Sequence, residues 1–427
     1  MKLDHIKEYA RMIDIARDSD VVNKQFLVEQ LGISMPTINE HARKLIDQGI
    51  LRSDSTNGTI SLNKNYCCFW GISVGSVYIK ISVIDFSFSP IMHKNIFQNL
   101  QNATLFVDER FEFGSVKNNI ICIKTPATLN ELISILNLIM QTLICTNERA
   151  KDENDFLPIA GIGFAFSGIV DHESYAIEYS SNISYLQNVN LQTMIYAPSL
   201  SYCAENGIML TFENNANAAV IAEKYALRKR EDIDSRCKNA KNIACLYLGT
   251  GLGLGLVLDN ALYKGMEFAG EIGHIPIALD AKLLNPSLFS QLSCSCGNSL
   301  CLESYINSLI LDTERSNIDH NTDNLRCSLA KKAECTRDLA SAISFLLNII
   351  TLLLNVDIVI LAGRLIEAFK DPNIDLWNQV NQKQVETRFR HISKKYSLIQ
   401  SKYGAETSAI GAAIESYFDA IKHKVRW

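Results

Sequence analysis

The pattern of apolar and polar positions in the first 65 residues predicts three helices followed by a hairpin. Apolar side chains recur at roughly helical spacing in the first segment, MKLDHIKEYARMIDIA. NKQFLVEQLG predicts a short second helix, and PTINEHARKLIDQG predicts a third, opened by proline and ended by glycine. Asn57-Gly58, the strongest short hairpin signal, then separates two short strands. Two short helices joined by a tight turn and followed by a hairpin are typical of a winged helix-turn-helix that reads DNA.

The third helix of this pattern would be the recognition helix, which lies in the major groove in such domains. Its exposed face and the following strand offer the candidate DNA-contacting side chains, which are Thr37, Asn39, Glu40, His41, Arg43, Lys44 and Arg52. Lys44 and Arg52 would meet phosphates. Residues 1–65 hold nine Lys or Arg and nine Asp or Glu, so this segment has no net basic excess. A small helical dimerisation or protein-interaction module is therefore the alternative interpretation.

From Tyr66 onward the pattern changes to buried strands that alternate with helices. CCFWGISVGSVYIKISVIDF predicts a β-hairpin, and TLNELISILNLIMQTLICT predicts a strongly apolar helix. IAGIGFAFSGIVD predicts a buried parallel strand, and IACLYLGTGLGLGLVLD predicts two strands around a Gly-rich turn. This order predicts an α/β fold for the region that follows the winged helix.

Length and composition fit a globular protein of two or three domains. The chain has 427 residues, of which 47% are apolar and 20% charged, and no run reaches the roughly 18 consecutive apolar residues that span a bilayer. The first residues have the pattern of an amphipathic helix and not that of a signal peptide, so we expect a cytoplasmic protein. The net charge of −5 argues against indiscriminate binding to nucleic acid or anionic membranes, although it permits a local DNA-reading module.

One histidine and three cysteines form the most specific chemical signal in the chain. His274 precedes Cys294, Cys296 and Cys301, whose C-x-C-x4-C spacing lets one tight turn present three sulfurs to one ion. Three thiolates and one imidazole fill the tetrahedral coordination of Zn²⁺ and leave no position for a reactive water, so the predicted zinc is structural. Since the chain has twelve cysteines, ordinary buried thiols are the alternative. Clustered free thiols fit a reducing compartment.

The motif GE-x-GH at 270–274, followed by C-x-C-G-x3-C-L-E at 294–303, resembles the signature of the ROK family of sugar kinases and sugar-responsive repressors. The resemblance implies an N-terminal winged helix-turn-helix followed by a two-lobed actin-like ATPase fold, which is the ribonuclease H-like fold of sugar kinases. It also implies that the zinc loop is a scaffold for sugar-binding side chains, with Glu271, His274 and Glu303 directed toward sugar hydroxyls. The gap between His274 and the first cysteine is longer here than is usual in the family.

A second part of the resemblance lies in FENNANAAVIAEKYAL, where a strand end meets an Ala-rich helix. The family pattern is E-N-D-A-N-A, and in its kinases the Asp takes the proton from the attacking sugar hydroxyl. This chain has Asn214 and Asn215 there, and an amide can hold a hydroxyl but cannot accept its proton. Loss of a general base typically costs about 10²- to 10⁴-fold in rate. The resemblance also implies that Asn182 binds a sugar hydroxyl, although a plain turn residue is the alternative.

Two Gly-rich turns correspond to the loops that hold nucleotide phosphates in the family's kinases. In the first turn, GISVGS, Ser73 stands where those kinases carry the Asp that handles magnesium. The second turn offers backbone amides that could approach a phosphate. We interpret the two turns as a vestigial phosphate site formed by Ser73, Gly75, Gly249, Thr250, Gly251 and Gly253. Tight hairpins that need glycine are the alternative.

The sequence thus predicts a transcriptional regulator with a kinase-like fold and no enzyme activity. We expect residues 1–65 to bind operator DNA, residues 66–215 with 405–427 to form a first lobe, and residues 216–404 to form a second lobe with the zinc loop. A sugar or sugar phosphate would set the DNA affinity of a homodimer or dimer of dimers that represses genes of carbohydrate metabolism. The alternatives are an ATP-dependent sugar kinase resembling glucokinase, or a regulator controlled by a protein partner.

Overall fold

A computed structural model describes most of the chain. The described ranges are 3–19, 21–54, 58–91, 120–153, 156–276, 292–298, 300–311, 333–365, 376–385 and 396–424. Within them, a small N-terminal sheet is followed by two five-stranded sheets, and a further three-stranded sheet of short strands belongs to the same region as the first of these.

The N-terminal unit has a winged-helix fold. Its elements are α1 (Leu3–Asp18), β1 (Val22–Asn23), α2 (Lys24–Leu31), α3 (Met35–Asp47), β2 (Leu51–Asp54) and β3 (Thr59–Leu62). The strand order is β1-β3-β2, with antiparallel pairing throughout. α3 begins where the Ser34 side chain accepts from the backbone N–H of Thr37, which makes Ser34 the N-cap. Gly58 has a positive φ in the turn between β2 and β3, and Asn57 lies outside the described residues.

The first lobe is built on one five-stranded sheet and three further short strands. Its elements are β4 (Cys68–Val74), β5 (Tyr78–Asp85), β6 (Ile120–Lys124), α4 (Leu129–Arg149), β7 (Ile159–Phe166), β8 (Ile169–Asp171), β9 (Ala176–Tyr179), β10 (Val189–Asn190), α5 (Ala197–Glu205) and β11 (Met209–Asn214). The main sheet has the order β11-β7-β4-β5-β6, in which β11, β7 and β4 are parallel and β5 and β6 are antiparallel additions. Every residue of β4 and β7 is buried, as central strands of a covered sheet require.

The second lobe repeats this strand arrangement. Its elements, with the last helix of the chain, are α6 (Asn215–Arg228), α7 (Ser235–Lys238), β12 (Ile243–Leu248), β13 (Leu252–Leu258), β14 (Ala261–Leu262), α8 (Leu302–Leu311), α9 (Ala333–Leu354), β15 (Ile358–Ala362), α10 (Leu376–Val385), β16 (Ser397–Gln400) and α11 (Thr407–Lys424). The sheet order is β14-β13-β12-β15-β16. β12, β15 and β16 are parallel, whereas β13 and β14 extend the sheet by antiparallel pairing.

Two helices, α6 and α11, pack against each other between the five-stranded sheets. α11 lies so close to the first sheet that a Cβ at Gly71 would be 1.7 Å from the carbonyl oxygen of Ala409. A Cβ at Gly411 would likewise be 1.7 Å from the carbonyl oxygen of Ala218 in α6. Only glycine fits at these two positions, because any side chain would overlap the backbone of the facing element. The C-terminal helix is therefore held in the middle of the molecule.

Two helices, α4 and α9, are long and apolar enough to cross a membrane, judged by length and composition alone. Half of each apolar window is buried, and α4 and α9 contribute to the cores of the first and second lobes, respectively. The core helices of globular proteins commonly pass the same test. This property of α4 and α9 is therefore weak evidence for a membrane span.

Candidate functional site

A cavity of about 290 Å³ lies between the two lobes, at the carboxyl ends of β4, β7, β11 and β12. This is the edge at which open α/β sheets bind their ligands. The residues predicted to bind sugar or phosphate that line the cavity are Ser73, Gly75, Asn182, Asn214, Asn215, Gly249, Thr250, Gly251, Gly253, Glu271 and Glu303. His274, predicted to contact both sugar and metal, is not among the lining residues.

Asn214 occupies the junction of β11 and α6. Its side-chain oxygen accepts from the backbone N–H groups of Ala216 at 2.7 Å and Asn217 at 3.3 Å, so it caps the helix. Its amide nitrogen donates to the carbonyl oxygen of Gly168 at 2.7 Å. The cap fixes the start of α6 at Asn215 and thereby holds both amide side chains against the cavity.

Ser73 and Asn215, the two residues that the sequence predicted to replace kinase Asp residues, are in direct contact. Ser73 Oγ lies 3.1 Å from the Asn215 amide and 2.8 Å from Ser408 Oγ. The Asn215 amide can be oriented so that its nitrogen donates to Ser73 Oγ and to the carbonyl oxygen of Ala165. Its oxygen then accepts from the backbone N–H of Ser167, and all three distances are 3.1 Å. Ser73 and Asn215 are buried and neutral, so the pair satisfies its hydrogen-bonding groups without a carboxylate.

Glu271, Glu303 and Asn182 form the part of the cavity nearest the predicted metal ligands. Glu303 Oε2 accepts from the backbone N–H of Leu252 at 2.7 Å. A Cβ at Gly251 would lie 2.4 Å from Asn182 Nδ2 and 2.9 Å from Glu303 Oε2, so the Gly-rich turn closes directly over these side chains. Burial raises the pKa of both carboxyl groups. Carboxyl and amide groups placed in this way are suited to hydrogen-bonding several hydroxyls.

His274 and the three motif cysteines form a cluster able to hold a metal ion. The candidate ligand atoms of His274, Cys294, Cys296 and Cys301 all lie within 4.8 Å of one another. Cys294 Sγ is 3.5 Å from His274 Nδ1, and Cys296 Sγ is 3.4 Å from Cys301 Sγ. Ligands of a tetrahedral ion with bonds of about 2.0–2.3 Å lie roughly 3.5–3.8 Å apart. The cluster therefore has the dimensions that one ion needs, even though residues 277–291, between His274 and the cysteines, lie outside the described part of the chain.

The cluster and the cavity are joined through the His274 ring. Its Nδ1 faces Cys294, whereas its Nε2 lies 3.6 Å from Glu271 Oε2 in the cavity wall. A carboxylate on the second ring nitrogen fixes the orientation of a metal-binding histidine. The turn that presents the sulfurs is held by Gly297, which has a φ of +93° and donates its backbone N–H to Cys294 O at 3.0 Å.

The recognition helix exposes most of its predicted DNA-contacting side chains, but not all of them. Asn39, Glu40, Arg43, Lys44 and Arg52 are exposed, and Thr37 is half-buried. Glu40 and Lys44 form an ion pair at 2.9 Å along the helix. These side chains remain candidates for contacts with DNA.

The prediction that His41 lies on the exposed face is wrong. The side chain is only 2% exposed, and its ring packs on Tyr9 of α1 with centroids 4.2 Å apart. His41 lies three residues after Ile38 and four before Leu45, so it belongs to the buried stripe of α3. Its role is to attach the recognition helix to α1.

Arg17 was not singled out by any sequence motif, yet it joins the winged helix to the first lobe. Its guanidinium donates to Asp14, to the hydroxyl of Tyr417 in α11 and to the carbonyl oxygen of Phe86. It also lies 4.1 Å from the ring centroid of Phe88 and 4.3 Å from that of Tyr417. The surrounding Asp14 and Tyr417 raise the pKa of Arg17 despite its burial. Arg17 is therefore a cation held in an aromatic pocket at the domain junction.

A bridge of ionisable groups beside the cavity was also missed. Glu213 Oε2 lies 2.5 Å from Lys264 Nζ and 3.3 Å from His172 Nε2, and His172 Nδ1 lies 2.9 Å from Glu267 Oε2. Burial alone would raise the pKa of Glu213, but His172 and Lys264 lower it to about 2. Since His172 follows β8 and Lys264 follows β14, the bridge links the two lobes.

The fold and the site define the class of this chain: a two-lobed sugar-kinase fold of the actin-like ATPase type, extended by an N-terminal winged helix. The chain belongs to the ROK family, whose sequence profile matches residues 126–415. The family resemblance and the fold predicted from the sequence are both confirmed.

The relatives of this chain include both repressors and kinases. The xylose repressor of Caldicellulosiruptor bescii is 24% identical over 298 residues, which are 67% of this chain and 60% of that repressor. The N-acetyl-D-glucosamine kinase of Aliivibrio salmonicida is 27% identical over 200 residues, which are 46% of this chain and 59% of the kinase. The chain thus spans less than two thirds of the length of either protein.

Two solved structures show how far the fold is shared. The ROK family transcriptional regulator that is a homologue of the E. coli MLC protein has a TM-score of 0.66 and 15% identity, with 97% of this chain and 98% of that chain covered. The ROK family glucokinase from Streptomyces griseus has a TM-score of 0.55 and 18% identity, with 82% of this chain and 99% of that chain covered. At sequence identities of 15% and 18%, the similarity to these two structures concerns the fold alone.

Proposed function

We propose that this chain is a transcriptional regulator that represses carbohydrate metabolism genes and binds a sugar or sugar phosphate without phosphorylating it. The observation that carries the proposal is the contact of 3.1 Å between Ser73 and Asn215. A sugar kinase needs a magnesium clamp and a base for the attacking hydroxyl. A serine and an asparagine supply neither, whereas the groups that bind hydroxyls remain in the cavity. The likeness to xylose repressors supports this interpretation.

In this proposal the sugar hydroxyls are held by Asn182, Asn214, Glu271 and Glu303, which line one cavity. Asn215 contributes an amide that can hold a hydroxyl. His274 acts through Glu271, since its Nε2 faces that carboxyl group at 3.6 Å. The cavity has two halves that belong to different lobes, so a bound sugar would favour a closed arrangement of the lobes.

The last helix offers a direct route from the cavity to the winged helix. Near its start, Ser408 contacts Ser73 at 2.8 Å and Tyr247 at 3.3 Å. Two and a half turns later, Tyr417 contacts Arg17 of α1. A sugar that changes the position of the lobes would therefore shift α11 against α1 and change the placement of the recognition helix.

We propose that the winged helix reads operator DNA as a homodimer or dimer of dimers. Asn39, Glu40 and Arg43 would reach base edges, and Lys44 and Arg52 would meet phosphates. Thr37 lies at the N-terminus of the helix, with its hydroxyl 2.9 Å from Ser34 Oγ. Paired recognition helices fit paired half-sites about one or two helical turns apart.

For the metal cluster we propose structural Zn²⁺. Three sulfurs and one imidazole nitrogen are the donors that Zn²⁺ prefers, and they leave no open position on the ion. His274, Cys294, Cys296 and Cys301 would hold it, and the ion would supply rigidity to the wall that carries Glu271 and Glu303.

We infer three structural units: residues 1–65, residues 66–215 with 405–427, and residues 216–404. The support is that each sheet lies wholly within one unit: one sheet in the first unit, two in the second and one in the third. α11 belongs with the second unit because it covers the sheet of the first lobe, although it ends the chain. Arg17 and Tyr417 would then form the contact between the first two units.

An ATP-dependent sugar kinase is the second candidate, because N-acetyl-D-glucosamine kinases are among the relatives. A coupled assay with ATP, magnesium and a panel of hexoses tests this candidate. Turnover of about 1 s⁻¹ or more, the low end for kinases, would make the kinase interpretation correct.

The experiment that tests the regulator begins with an unbiased selection of DNA by the full-length chain. We expect a palindromic site whose affinity falls with salt. Arg43→Ala should weaken binding by about 1–3 kcal/mol, whereas Lys241→Ala, an exposed lysine in the second lobe, is the matched control. A monosaccharide or its phosphate should then change DNA affinity. A chain that selects no DNA sequence would contradict the proposal.

A further inference from the structure

Two cations that no motif predicted line the cavity beside the vestigial phosphate loops. Lys80 lies in β5 directly opposite Ser73 of β4, so the two side chains share one face of the sheet. Its Nζ donates to the carbonyl oxygen of Ala405 at 2.6 Å. Arg364 follows β15, and its Nε donates to the carbonyl oxygen of Gly249 at 3.2 Å. Each loop therefore has a cation next to it.

The two loops meet within the cavity. Ser76 Oγ donates to Thr250 Oγ1 at 2.6 Å, and both residues line the cavity. Both hydroxyls and the Gly-rich turn therefore line the same cavity as Lys80 and Arg364. Ammonium, guanidinium, hydroxyl and backbone N–H groups are the usual partners of a phosphate.

The position of Arg364 is fixed by the backbone before it. Gly363 has a φ of +95°, and a Cβ there would lie 2.4 Å from the carbonyl oxygen of Leu248. Its backbone N–H donates to the carbonyl oxygen of Gly404 at 3.0 Å. Burial lowers the pKa of Arg364, so its charged form is disfavoured by the surroundings and would be favoured by an anion.

Both acidic and basic side chains line the cavity. Glu271 and Glu303 belong to the wall next to the metal cluster, whereas Lys80 and Arg364 adjoin the phosphate loops, with Glu406 also lining the cavity. A volume of about 290 Å³ is close to the lower limit of roughly 300 Å³ for ligand pockets.

We propose that the effector is a monosaccharide phosphate, whose hydroxyls face Asn182, Glu271 and Glu303 and whose phosphate lies between Lys80 and Arg364. The proposal rests on the proposed function of this cavity as a sugar site. The ligand resembles the product of a sugar kinase more than its substrates, because the phosphate is already on the sugar. A chain without the base and the magnesium ligand can hold such a ligand but cannot make it.

Calorimetry on the full-length chain tests the inference with glucose, N-acetylglucosamine, xylose, their phosphate monoesters, inorganic phosphate and ATP as probes. We expect one sugar phosphate to bind at least about tenfold more tightly than its parent sugar, because a hydrogen bond to a charged group contributes about 1.5–3 kcal/mol. Arg364→Gln and Lys80→Gln should each weaken the sugar phosphate about tenfold or more. Both should weaken the sugar phosphate by a larger factor than the parent sugar, and Lys241→Gln is the matched control that should leave both affinities unchanged.

The outcomes separate this inference from the function on which it rests. If a parent sugar binds as tightly as its phosphate and the two substitutions have no effect, the proposed phosphate site is contradicted. The proposal of a sugar-responsive regulator is not contradicted by that result. If ATP binds and the sugar phosphates do not, the inference is also overturned. If none of the sugars or their phosphates binds, both proposals fail. Arg364→Lys, which keeps the charge, should restore much of the phosphate affinity and guards against misfolding of Arg364→Gln.

Discussion

The hydroxyl of Ser73 and the side-chain amide of Asn215 lie 3.1 Å apart, although the residues are 142 positions apart in the chain. Both are buried, and each reaches further neutral partners: Ser408 for Ser73, and backbone groups for Asn215. Two carboxylates at this separation would repel each other unless a cation lay between them. The neutral pair therefore satisfies its buried polar groups without a cation between them.

The first prediction follows from this contact. Ser73→Asp combined with Asn215→Asp should lower the free energy of unfolding by about 3–5 kcal/mol at pH 8, because at least one buried charge is left uncompensated. One of the two carboxyls should have a raised folded-state pKa, so the loss should be smaller at pH 5, where it is protonated. Urea unfolding at the two pH values measures the effect. Ser73→Asn with the native Asn215 is the neutral control, and equal stability of the double variant at both pH values would contradict the argument.

The second prediction concerns the metal cluster. The purified chain should contain about one zinc per chain, and Cys296→Ser should lose both the metal and roughly 4 kcal/mol or more of stability. Elemental analysis and urea unfolding measure the two effects. Cys145→Ser, an exposed cysteine on α4, is the control and should retain the metal. His274→Ala separately tests the fourth ligand, and full zinc affinity in that variant would place the ligand elsewhere.

The third prediction concerns the junction between the winged helix and the first lobe. Arg17→Met removes the charge from the aromatic pocket and should cost about 3 kcal/mol or more, because it leaves Asp14 and the Tyr417 hydroxyl without their partner. DNA binding and sugar binding should each persist, but the sugar should no longer change DNA affinity. Fluorescence anisotropy with and without the sugar measures the coupling.

A matched control for Arg17 exists within the chain. Arg149 also lies over an aromatic ring, 4.3 Å from the centroid of Phe156, but it is half-buried and its ion pair is with Glu153 of the first lobe. Arg149→Met should leave the coupling intact. If Arg17→Met retains the full effect of the sugar on DNA affinity, α11 is not the route between the two sites.

The fourth prediction concerns the bridge formed by His172, Glu213, Lys264 and Glu267. Burial would lower the pKa of His172, but the hydrogen bond and charge of Glu213 outweigh it and raise the pKa above the ordinary value. A histidine whose pKa is raised in the folded state contributes its full stabilisation when the pH is below its pKa in the unfolded chain, about 6.5. This stabilisation is lost as the pH rises through its pKa in the folded chain. The difference in free energy of unfolding between the native chain and His172→Gln should therefore be largest at pH 6 and decline toward pH 9.

The contribution of Glu213 to stability changes with pH in the opposite direction. Its pKa is lowered to about 2, so its contribution is present above the unfolded value and is lost as the pH falls through about 2. Between pH 5 and 9, His172 is the member of the bridge that should titrate. Glu415, whose pKa burial raises to about 7, titrates in the same range both in the native chain and in His172→Gln. A difference between native chain and His172→Gln that does not vary over this range would show that the bridge does not depend on the imidazolium.

The sequence by itself determined the features that depend on nearby residues. Three cysteines within eight positions and Gly297 specify the sulfur turn, because a short segment has few ways to place them. Asn214 could be placed at a strand end because a polar residue between an apolar run and an Ala-rich helix is a capping signal. The recognition helix was likewise visible from its own caps and apolar stripe.

The tertiary structure decided which of these local features meet. His41 is buried because Tyr9 of another helix covers it, and a helical pattern cannot reveal which neighbour packs on a marginal position. Lys80 and Arg364 reach one cavity from strands of different lobes, and Arg17 reaches Tyr417 from the opposite end of the chain. Such contacts depend on how α6 and α11 pack between the sheets, which is fixed by close approach at glycines such as Gly411. Local periodicity records the conformation of a segment, whereas the partner of a side chain across the fold is set by the packing of the whole core.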